Sequence, residues 1–452
     1  MQLTFLGATE TVTGSKYLLE FNNKKILIDC GLFQGLKELR LRNWDKLPIS
    51  PKNIDYVILT HAHIDHSGYI PLLIKNGFKG KIYCSEATYK LCCILLPDSG
   101  YLQEEDARRA NKYGYTKHSP ALALYTEKDA LESLKYFQSV DFGKPIYFAD
   151  DFHFSLSRSG HILGSSFISI YYGNKTIIFS GDLGRMHDPI MKTPAKLDNC
   201  DYLVIESTYG DRLHTENSPE KEMAEVINST AKKGGSIIIP AFAVGRAQII
   251  LYYLYQLKQS KSIPDIPIFL DSPMAINATS LLCNFKNEHQ LNEGLCQDIC
   301  AVAKYIKTVD ESKSLDNYNV PIIIISASGM ATGGRVLHHL KHFMVDQKNT
   351  ILFSGYQAIG TRGDRMMRGE KLIKIHGEMY PVNARIENIT GLSAHADYSE
   401  ILQWLSNFHN APKKIFITHG EKDAALAVKT KIAEIFNKSE IIIPKYLQKE
   451  TI

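Results

Sequence analysis

Residues 61–66, which read His-Ala-His-Ile-Asp-His, are the densest group of potential metal ligands in the chain. Imidazole nitrogens and carboxylate oxygens suit Zn²⁺, and alternate side chains of an extended turn can face one ion while their neighbours face a second. The apolar residues 56–60 come directly before this group, a pattern that predicts a strand running into a turn and then a helix. We therefore predict a metal centre at the end of this strand.

Two further ligands are predicted from separate parts of the chain. His161 lies between glycines in residues 159–165, and Asp182 follows the apolar residues 176–179. Glycine neighbours let the backbone approach an ion closely, and a carboxylate at a strand end could bridge two cations. Asp29 also follows an apolar strand, and we predict that it orients the histidine segment rather than binding metal.

The order of these residues resembles that of the metallo-β-lactamase superfamily. The resemblance implies two Zn²⁺ ions about 3.5 to 4 Å apart, which lower the pKa of a shared water from about 15.7 toward 7. The sequence leaves open whether Mn²⁺ can substitute for Zn²⁺. It implies that the first ion is bound by His61, His63, His161 and Asp182. The second is bound by Asp65, His66 and Asp182, with another ligand from later in the chain.

Three segments later in the chain indicate which of the many activities of that superfamily to expect. They are Glu206-Ser-Thr-Tyr-Gly, Ser-Ala-His395-Ala-Asp and Ile-Thr-His419-Gly-Glu, and they resemble the signature motifs of the β-CASP nuclease family. The resemblance implies that His419 completes the second zinc site. It also implies that His395, Asp65 and Glu206 are the catalytic residues, with His395 as the general acid at the scissile phosphate and Glu206 orienting it.

Residues that contact the substrate are predicted more loosely. The backbone N–H groups at Ser328 and Gly329 could cradle phosphates. Arg246 and Arg335 each follow a glycine at a predicted helix start, so that they either contact phosphates or only cap the local structure.

One position departs from the β-CASP pattern. Family members commonly carry an arginine after Gly-Thr-x-Gly, whereas this chain has Asp364 there, between Arg362 and Arg365. Arg362 and Arg365 remain available to phosphates, and an exposed, solvated loop is an equally open interpretation for all three residues.

The distribution of apolar segments predicts an α/β protein of two domains. Short strands that end in polar residues fill the first half, whereas continuous apolar strands alternate with helices after position 208, which indicates a parallel sheet. The clearest helix is predicted for residues 246–258. We predict a metallo-β-lactamase αββα sandwich, residues 1–207 and 369–452, with an inserted β-CASP α/β domain, residues 208–368. We expect the insert to leave a cleft that admits single-stranded RNA.

Composition places few limits on function. The net charge of +4 neither indicates nor excludes a nucleic-acid partner. No signal peptide or long apolar run is found, so we expect a cytoplasmic protein without a membrane partner. The eight cysteines contain no C-x-x-C pair, and we expect buried thiols.

Together these observations predict a zinc-dependent ribonuclease that hydrolyses phosphodiester bonds of single-stranded RNA. The chain resembles compact prokaryotic β-CASP members related to the endonuclease subunit of mRNA 3′-end processing, and a homodimer is a further hypothesis. Internal and terminal cleavage both remain open. The alternatives are a small-molecule hydrolase acting on a thioester or lactone, a DNA-directed nuclease of the same family, and an RNA-binding scaffold without catalysis.

Overall fold

The structure is a computed structural model that describes residues 1–114, 116–214 and 218–452. It divides into two compact units. Unit 1 comprises Met1–Leu213 and Ala394–Ile452, and unit 2 comprises His214–Ser393. The domain boundaries at residues 208 and 369 stay a prediction. Helices and strands are numbered below in chain order.

The first part of unit 1 is mostly strands. They are β1 (Gln2–Phe5), β2 (Tyr17–Phe21), β3 (Lys24–Ile28), β4 (Tyr56–Ile58), β5 (Lys81–Cys84), β6 (Phe137–Ser139), β7 (Ile146–Ala149), β8 (Phe152–Arg158), β9 (Ser166–Tyr172), β10 (Lys175–Phe179) and β11 (Tyr202–Glu206). Its helices are α1 (Lys37–Arg42), α2 (Ile64–Ser67), α3 (Ile70–Lys75), α4 (Glu86–Tyr113) and α5 (Glu127–Ser133).

Strands and helices alternate in the first part of unit 2, as the apolar pattern predicts. The strands are β12 (Ile237–Pro240), β13 (Ile268–Leu270), β14 (Lys304–Tyr305), β15 (Ile323–Ser326), β16 (Thr350–Phe353), β17 (Leu372–Ile375), β18 (Glu378–Pro381) and β19 (Arg385–Asn388). The helices are α6 (Pro219–Lys232), α7 (Arg246–Gln259), α8 (Pro273–Asn284), α9 (Glu293–Ala301), α10 (Val309–Ser314), α11 (Val336–Phe343) and α12 (Arg362–Met367). The predicted helix at 246–258 is confirmed by α7.

The C-terminal segment returns to unit 1 and completes both of its sheets. It contains α13 (Tyr398–Leu405), β20 (Lys414–Thr418), α14 (Lys422–Ile435), β21 (Glu440–Ile442) and β22 (Lys449–Thr451). Strand β20 pairs in parallel with β11, and β22 pairs antiparallel with β1. Among the described residues, the strand orders are β22-β1-β2-β3-β4-β5-β6 and β21-β20-β11-β10-β9-β8-β7.

The two sheets of unit 1 enclose one apolar core. Phe5 and Ile28 of the first sheet and Phe154 and Phe416 of the second belong to the same buried cluster. A second cluster packs α13 and α14 onto the outer face of the second sheet around the fully buried Trp404. This arrangement places strand ends of both sheets at one edge, where polar side chains collect.

Unit 2 contains a parallel sheet in the order β14-β13-β15-β12-β16-β19. Each neighbouring pair of these strands is parallel, and the central strands consist of fully buried isoleucines such as Ile238 and Ile324. Strands that are covered on both faces by helices need apolar side chains on both faces, which explains the unbroken apolar runs. The α/β fold class predicted from the sequence is confirmed.

The cysteines only partly follow the prediction. Six are free thiols, and four of these are buried: Cys30, Cys84, Cys92 and Cys200. The expectation of thiols is wrong for Cys283 and Cys296, which form a disulfide between α8 and α9. Their Cα atoms lie 5.9 Å apart, and this proximity of two helices leaves no mark in the sequence spacing.

No helix among the described residues is both long and apolar enough to cross a membrane.

Candidate metal centre and active site

The histidine segment takes the predicted strand-turn-helix position. Strand β4 ends at Ile58, and α2 begins at Ile64, so that His61 and His63 lie on the turn while Asp65 and His66 lie in the first turn of the helix. The close fit of this turn depends on Gly31, because a Cβ there would lie 1.6 Å from the Asp65 carbonyl oxygen.

Four side chains form a first donor set: His61, His63, His161 and Asp182. His63 Nδ1 lies 3.1 Å from His61 Nε2 and 3.3 Å from His161 Nε2. Asp182 Oδ2 lies 3.4 Å from each of those Nε2 atoms. Ligands of a tetrahedral zinc, bonded at about 2.0–2.1 Å, are about 3.3–3.4 Å apart. The donor set therefore has the dimensions of a zinc site.

A second donor set consists of Asp65, His66 and His419. His66 Nε2 lies 3.1 Å from His419 Nε2 and 3.2 Å from Asp182 Oδ1, and His419 Nε2 lies 3.4 Å from Asp65 Oδ2. Asp182 thus offers one oxygen to each donor set, as expected for a carboxylate that bridges two cations. His419 has a φ of 48°, and its N–H donates to the Ala8 carbonyl oxygen.

Several buried histidine ring nitrogens face one another, and hydrogen bonds cannot satisfy all of them. His63 Nδ1 faces two other ring nitrogens, and one hydrogen can lie between only one pair. Burial lowers the pKa of His61, His63 and His161, which favours the neutral imidazoles that bind metal ions. A cation satisfies all of these lone pairs together, so the residues present fit a metal centre.

Hydrogen bonds from neighbouring residues orient the ligands. Asp29 Oδ2 lies 2.8 Å from His66 Nδ1, and Asp29 also accepts from the Thr60 backbone N–H at 2.7 Å. The predicted orienting position of Asp29 thus has a geometric basis. Sequence reasoning missed Thr60, whose Oγ1 lies 3.0 Å from His61 Nδ1, and Thr208, whose Oγ1 lies 3.1 Å from His419 Nδ1.

These two threonines could have been found from their positions. Thr60 is the residue before the histidine segment, and Thr208 is part of the Glu206-Ser-Thr motif. A metal-bound histidine usually donates its other ring N–H to an oxygen, so a hydroxyl or carboxylate next to a ligand motif is the signal to search for.

His395 and Glu206 form a pair beside the bridging aspartate. His395 Nδ1 lies 3.1 and 3.2 Å from the two Glu206 oxygens, and its Nε2 lies 4.0 Å from Asp182 Oδ2. Glu206 is fixed in turn by backbone N–H groups of Leu183 and Thr208. Burial opposes the charged imidazolium, but the carboxylates of Glu206, Asp182 and Asp65 together outweigh burial and raise the pKa of His395.

The glycine at position 181 lets the bridging aspartate approach the histidine turn. Gly181 has a φ of +51°, and a Cβ there would lie 2.7 Å from the Thr60 Cβ. Isolated β-bridges join Gly184 to His395 and Tyr209 to Asp397. The structure thus brings together the ten residues that the sequence assigned to metal binding, catalysis and orientation: Asp29, His61, His63, Asp65, His66, His161, Asp182, Glu206, His395 and His419.

The five residues predicted to contact substrate all lie in unit 2. Ser328 Oγ accepts from the Thr332 N–H, and a Cβ at Gly329 would lie 2.8 Å from the Phe242 nitrogen. Arg246 is buried, and its guanidinium lies against Gly355, a glycine with a positive φ. Phosphate contact by these residues stays a prediction.

Two of the predicted arginines are held by local structure. Arg335 donates to Asp271 at 2.6 Å and to the carbonyls of Ile306 and Lys307. Arg362 donates to the carbonyls of Ala331, Thr332 and Lys374. For Arg335, this is the local structural role that the sequence left open beside phosphate contact.

The solvated-loop interpretation of residues 362–365 is wrong. These residues begin helix α12, and Thr361 caps it by accepting from the Asp364 N–H. Asp364 accepts from the Gly360 N–H at 2.9 Å and from Arg368 at 2.8 Å. Asp364, the residue that departs from the β-CASP pattern, therefore stabilises the start of helix α12.

Comparison with known proteins agrees with this architecture. Models of three families match the chain: the metallo-beta-lactamase superfamily at residues 11–92, the Beta-Casp domain at 247–366, and the Zn-dependent metallo-hydrolase RNA specificity domain at 379–444. A protein of unknown function from Enterococcus faecalis V583 shares the fold, with a TM-score of 0.56 at 13% identity over 100% of this chain and 99% of that chain.

Relatives that align over nearly the whole of this chain are also found. Ribonuclease TTHA0252 of Thermus thermophilus is 33% identical over 95% of this chain and 95% of its own length. Transcription termination factor FttA of Methanocaldococcus jannaschii is 30% identical over 98% of this chain and 70% of its own length. With the family models, the ten-residue site and the parallel-sheet insert, these relatives show that the chain belongs to the β-CASP family of metal-dependent hydrolases in the metallo-β-lactamase superfamily.

Proposed function

We propose that this protein is a ribonuclease that hydrolyses phosphodiester bonds of single-stranded RNA with two zinc ions. The observation that carries the proposal is the His395–Glu206 pair directed at the bridging Asp182 of two adjoining donor sets. The family model that matches residues 379–444 is described as an RNA specificity domain, and one relative is named a ribonuclease, which supports RNA as substrate.

The two donor sets would hold the ions, His61, His63, His161 and Asp182 in the first and Asp65, His66, His419 and Asp182 in the second. Bound zinc supplies a Lewis acid that neutralises phosphate charge and makes water a better nucleophile. Mn²⁺ accepts the same nitrogen and oxygen ligands with lower affinity, so it is a candidate substitute.

His395 is the general acid of this proposal. Its Nδ1–H donates to Glu206, which leaves Nε2 directed toward Asp182 and the donor sets. From there the imidazolium can protonate the sugar oxygen that leaves when the phosphodiester bond breaks. Glu206 fixes the ring orientation and tautomer and stabilises the positive charge of the acid.

The test compares the wild type with His395→Ala and Asp65→Ala on uniform single-stranded RNA and DNA after zinc is restored. We expect His395→Ala to keep its zinc content and lose about 10²- to 10⁴-fold in cleavage rate. Asp65→Ala should lose zinc as well as cleavage. The exposed His409 of unit 1 offers a matched control, because His409→Ala removes an imidazole outside the donor sets.

Each other outcome selects a different function. Normal RNA cleavage by His395→Ala contradicts the general-acid role. A zinc-loaded wild type that cuts only DNA supports the DNA-directed nuclease, and one that cuts neither supports the small-molecule hydrolase. A zinc content near zero in the wild type supports the RNA-binding scaffold.

Product lengths from the same time course separate internal cleavage from terminal trimming. The cytoplasmic location and the homodimer stay predictions, and light scattering of the purified chain tests the latter.

A further inference from the structure

Residues 34–46 form a largely exposed segment that follows residues bonded to the metal-ligand loop of unit 1. The strand-like residues before it bond to that loop, since the Cys30 N–H donates to the His66 carbonyl at 2.7 Å and the Leu32 N–H donates to the Ile64 carbonyl at 2.9 Å. The segment therefore begins two residues after Leu32, whose backbone is bonded to the ligand loop.

The segment is closed at its base by Asn43. The side chain of Asn43 is buried, and it accepts from the Phe33 N–H at 2.9 Å and donates to the Phe33 carbonyl at 2.8 Å. This reciprocal pair fixes Trp44 next to the anchored residues. From the reach of the intervening chain, Trp44 lies no more than about 25 Å from the Asp65 backbone.

The outer surface of the segment combines one large aromatic side chain with unneutralised positive charge. Trp44 is 55% exposed. Four cationic residues flank Trp44 in the sequence: Lys37, Arg40, Arg42 and Lys46. Among the described residues, none of the four forms an ion pair with a carboxylate. With Glu38 and Asp45, the segment carries a net charge of +2.

A second aromatic side chain extends this surface. The Arg42 guanidinium lies 4.5 Å from the ring centroid of Tyr446, which is 37% exposed and follows Lys445. A guanidinium that stacks on an aromatic face uses its flat surface for the contact, which leaves its N–H groups available to a phosphate.

We propose that residues 34–46 and Tyr446 bind the single-stranded RNA that flanks the bond to be cleaved, with Trp44 stacking on a base and Lys37, Arg40 and Arg42 contacting phosphates. Aromatic faces for bases and cations for the backbone are the two requirements of single-strand binding. A protein partner is less favoured, because the cores of protein interfaces are depleted in lysine and other charged residues, and this segment carries two lysines among its six charged side chains. This proposal rests on the proposed ribonuclease function.

The two tryptophans of the chain provide a direct test, because Trp404 is 1% exposed whereas Trp44 is largely exposed. A Trp404→Phe variant makes Trp44 the single tryptophan. The fluorescence of Trp44 is then measured at low temperature while oligouridine is added. We expect quenching that saturates with the same Kd as an independent binding measurement. An unaltered spectrum at saturating RNA overturns the proposal.

Trp44→Ala in the wild-type background should raise Kd and KM for oligouridine about 5- to 150-fold while kcat at saturating RNA stays constant. The matched control is Tyr147→Ala, which removes a 62% exposed aromatic side chain from strand β7. A Lys37→Gln/Arg40→Gln variant should lower the slope of log Kd against log salt by about 1.4, since two phosphate contacts are lost.

The outcomes separate this proposal from the function on which it rests. RNA binding and cleavage that are equal in Trp44→Ala and wild type overturn the RNA surface but leave the ribonuclease intact. A wild type that neither binds nor cleaves RNA defeats the proposed function instead. If Trp44→Ala changes only the molar mass in light scattering, the surface joins two copies of the chain and the RNA proposal is wrong.

Discussion

Two buried aspartates, one in each unit, contact histidine, yet Asp182 faces several imidazoles whereas Asp271 contacts one imidazole together with a guanidinium and a hydroxyl. Asp182 of unit 1 is 2% exposed, and Asp271 of unit 2 is 0% exposed. Burial of a charge beside imidazoles is thus common to both, and it does not by itself indicate a metal site.

Asp271 is surrounded by hydrogen-bond donors. It accepts from Ser312 Oγ, from Arg335 Nη1 at 2.6 Å and from His339 Nε2 at 2.7 Å, and His339 Nδ1 lies 3.2 Å from Asp316. The charge of the carboxylate is compensated by a guanidinium. This network is complete within unit 2, because every group has a partner with the complementary role.

Asp182 is surrounded by nitrogens that crowd one another. Its distances to His61, His161 and His66 are 3.2 to 3.4 Å, and those rings lie equally close to further imidazoles. A hydrogen-bond network would be shorter at the carboxylate and would avoid contact between like atoms. The balance of hydrogen-bond donors and acceptors, more than burial, therefore distinguishes a metal site from a structural network.

The largest expected effect follows from removing the bridging carboxylate. Asp182→Asn takes one anionic ligand from both donor sets, so we expect zinc content after dialysis to fall by more than half. The cleavage rate should fall at least roughly 10³-fold. Elemental analysis and RNA cleavage measure the two effects. A variant that keeps its full zinc content would contradict the assignment of Asp182 as a ligand shared by both donor sets.

The matched change in unit 2 should affect stability instead. Asp271→Asn leaves Arg335 and His339 without their buried counter-charge, which costs about 3–5 kcal/mol in the free energy of unfolding. Urea unfolding followed by circular dichroism measures the loss. Zinc content should equal that of the wild type, and zinc loss in this variant would contradict the separation of the two clusters.

Asp29 offers an intermediate case, because it lies beside the metal ligands but accepts hydrogen bonds as Asp271 does. Asp29→Asn weakens the bond that orients His66, and we expect the affinity for zinc to fall about 10- to 100-fold. Competition with a chromophoric chelator measures this change. Asp201→Asn is the control, since Asp201 accepts from the Thr176 N–H at the start of β11, the opposite end of that strand from Glu206, and belongs to neither donor set; equal affinities in both variants would refute the orienting role.

The smallest effect concerns pH. Burial opposes protonation of His339, but its hydrogen bonds to Asp271 and Asp316 outweigh burial and raise its pKa above 6.5. Protonation therefore stabilises the folded state fully below about pH 6.5, and this stabilisation is lost as pH rises through the higher folded pKa. We expect the free energy of unfolding to decline by at most about 1.4 kcal/mol per pH unit in that window. His339→Gln should flatten this slope in urea unfolding, and an unchanged slope would exclude His339 as its source.

Much of the site could be predicted because its motifs are local. Residues 61–66 follow a strand directly, so the ligands on the turn are set by a few backbone angles, and strand-helix alternation in unit 2 appears in the apolar pattern. The threonines that orient His61 and His419 were missed, because a hydroxyl acquires this role only through its distance from a ring nitrogen. The disulfide between Cys283 and Cys296 was missed for the same reason.

The chemistry available to this protein follows from its amino-acid order: the identity of the donors, their order, and the family to which they belong. Which of those donors meet depends on the folded chain. His66 and His419 are separated by 353 positions and approach to 3.1 Å because strand ends of both sheets of unit 1 meet at one edge, where the His419 N–H donates to the Ala8 carbonyl oxygen. Arg335 and Arg362 were equally open as phosphate contacts in the sequence, whereas in the fold Arg335 donates to a carboxylate and to carbonyl oxygens and Arg362 donates to carbonyl oxygens. The physical reason is that spacing along the chain fixes local geometry, whereas the pairing of distant donors and acceptors is fixed by sheet register and core packing.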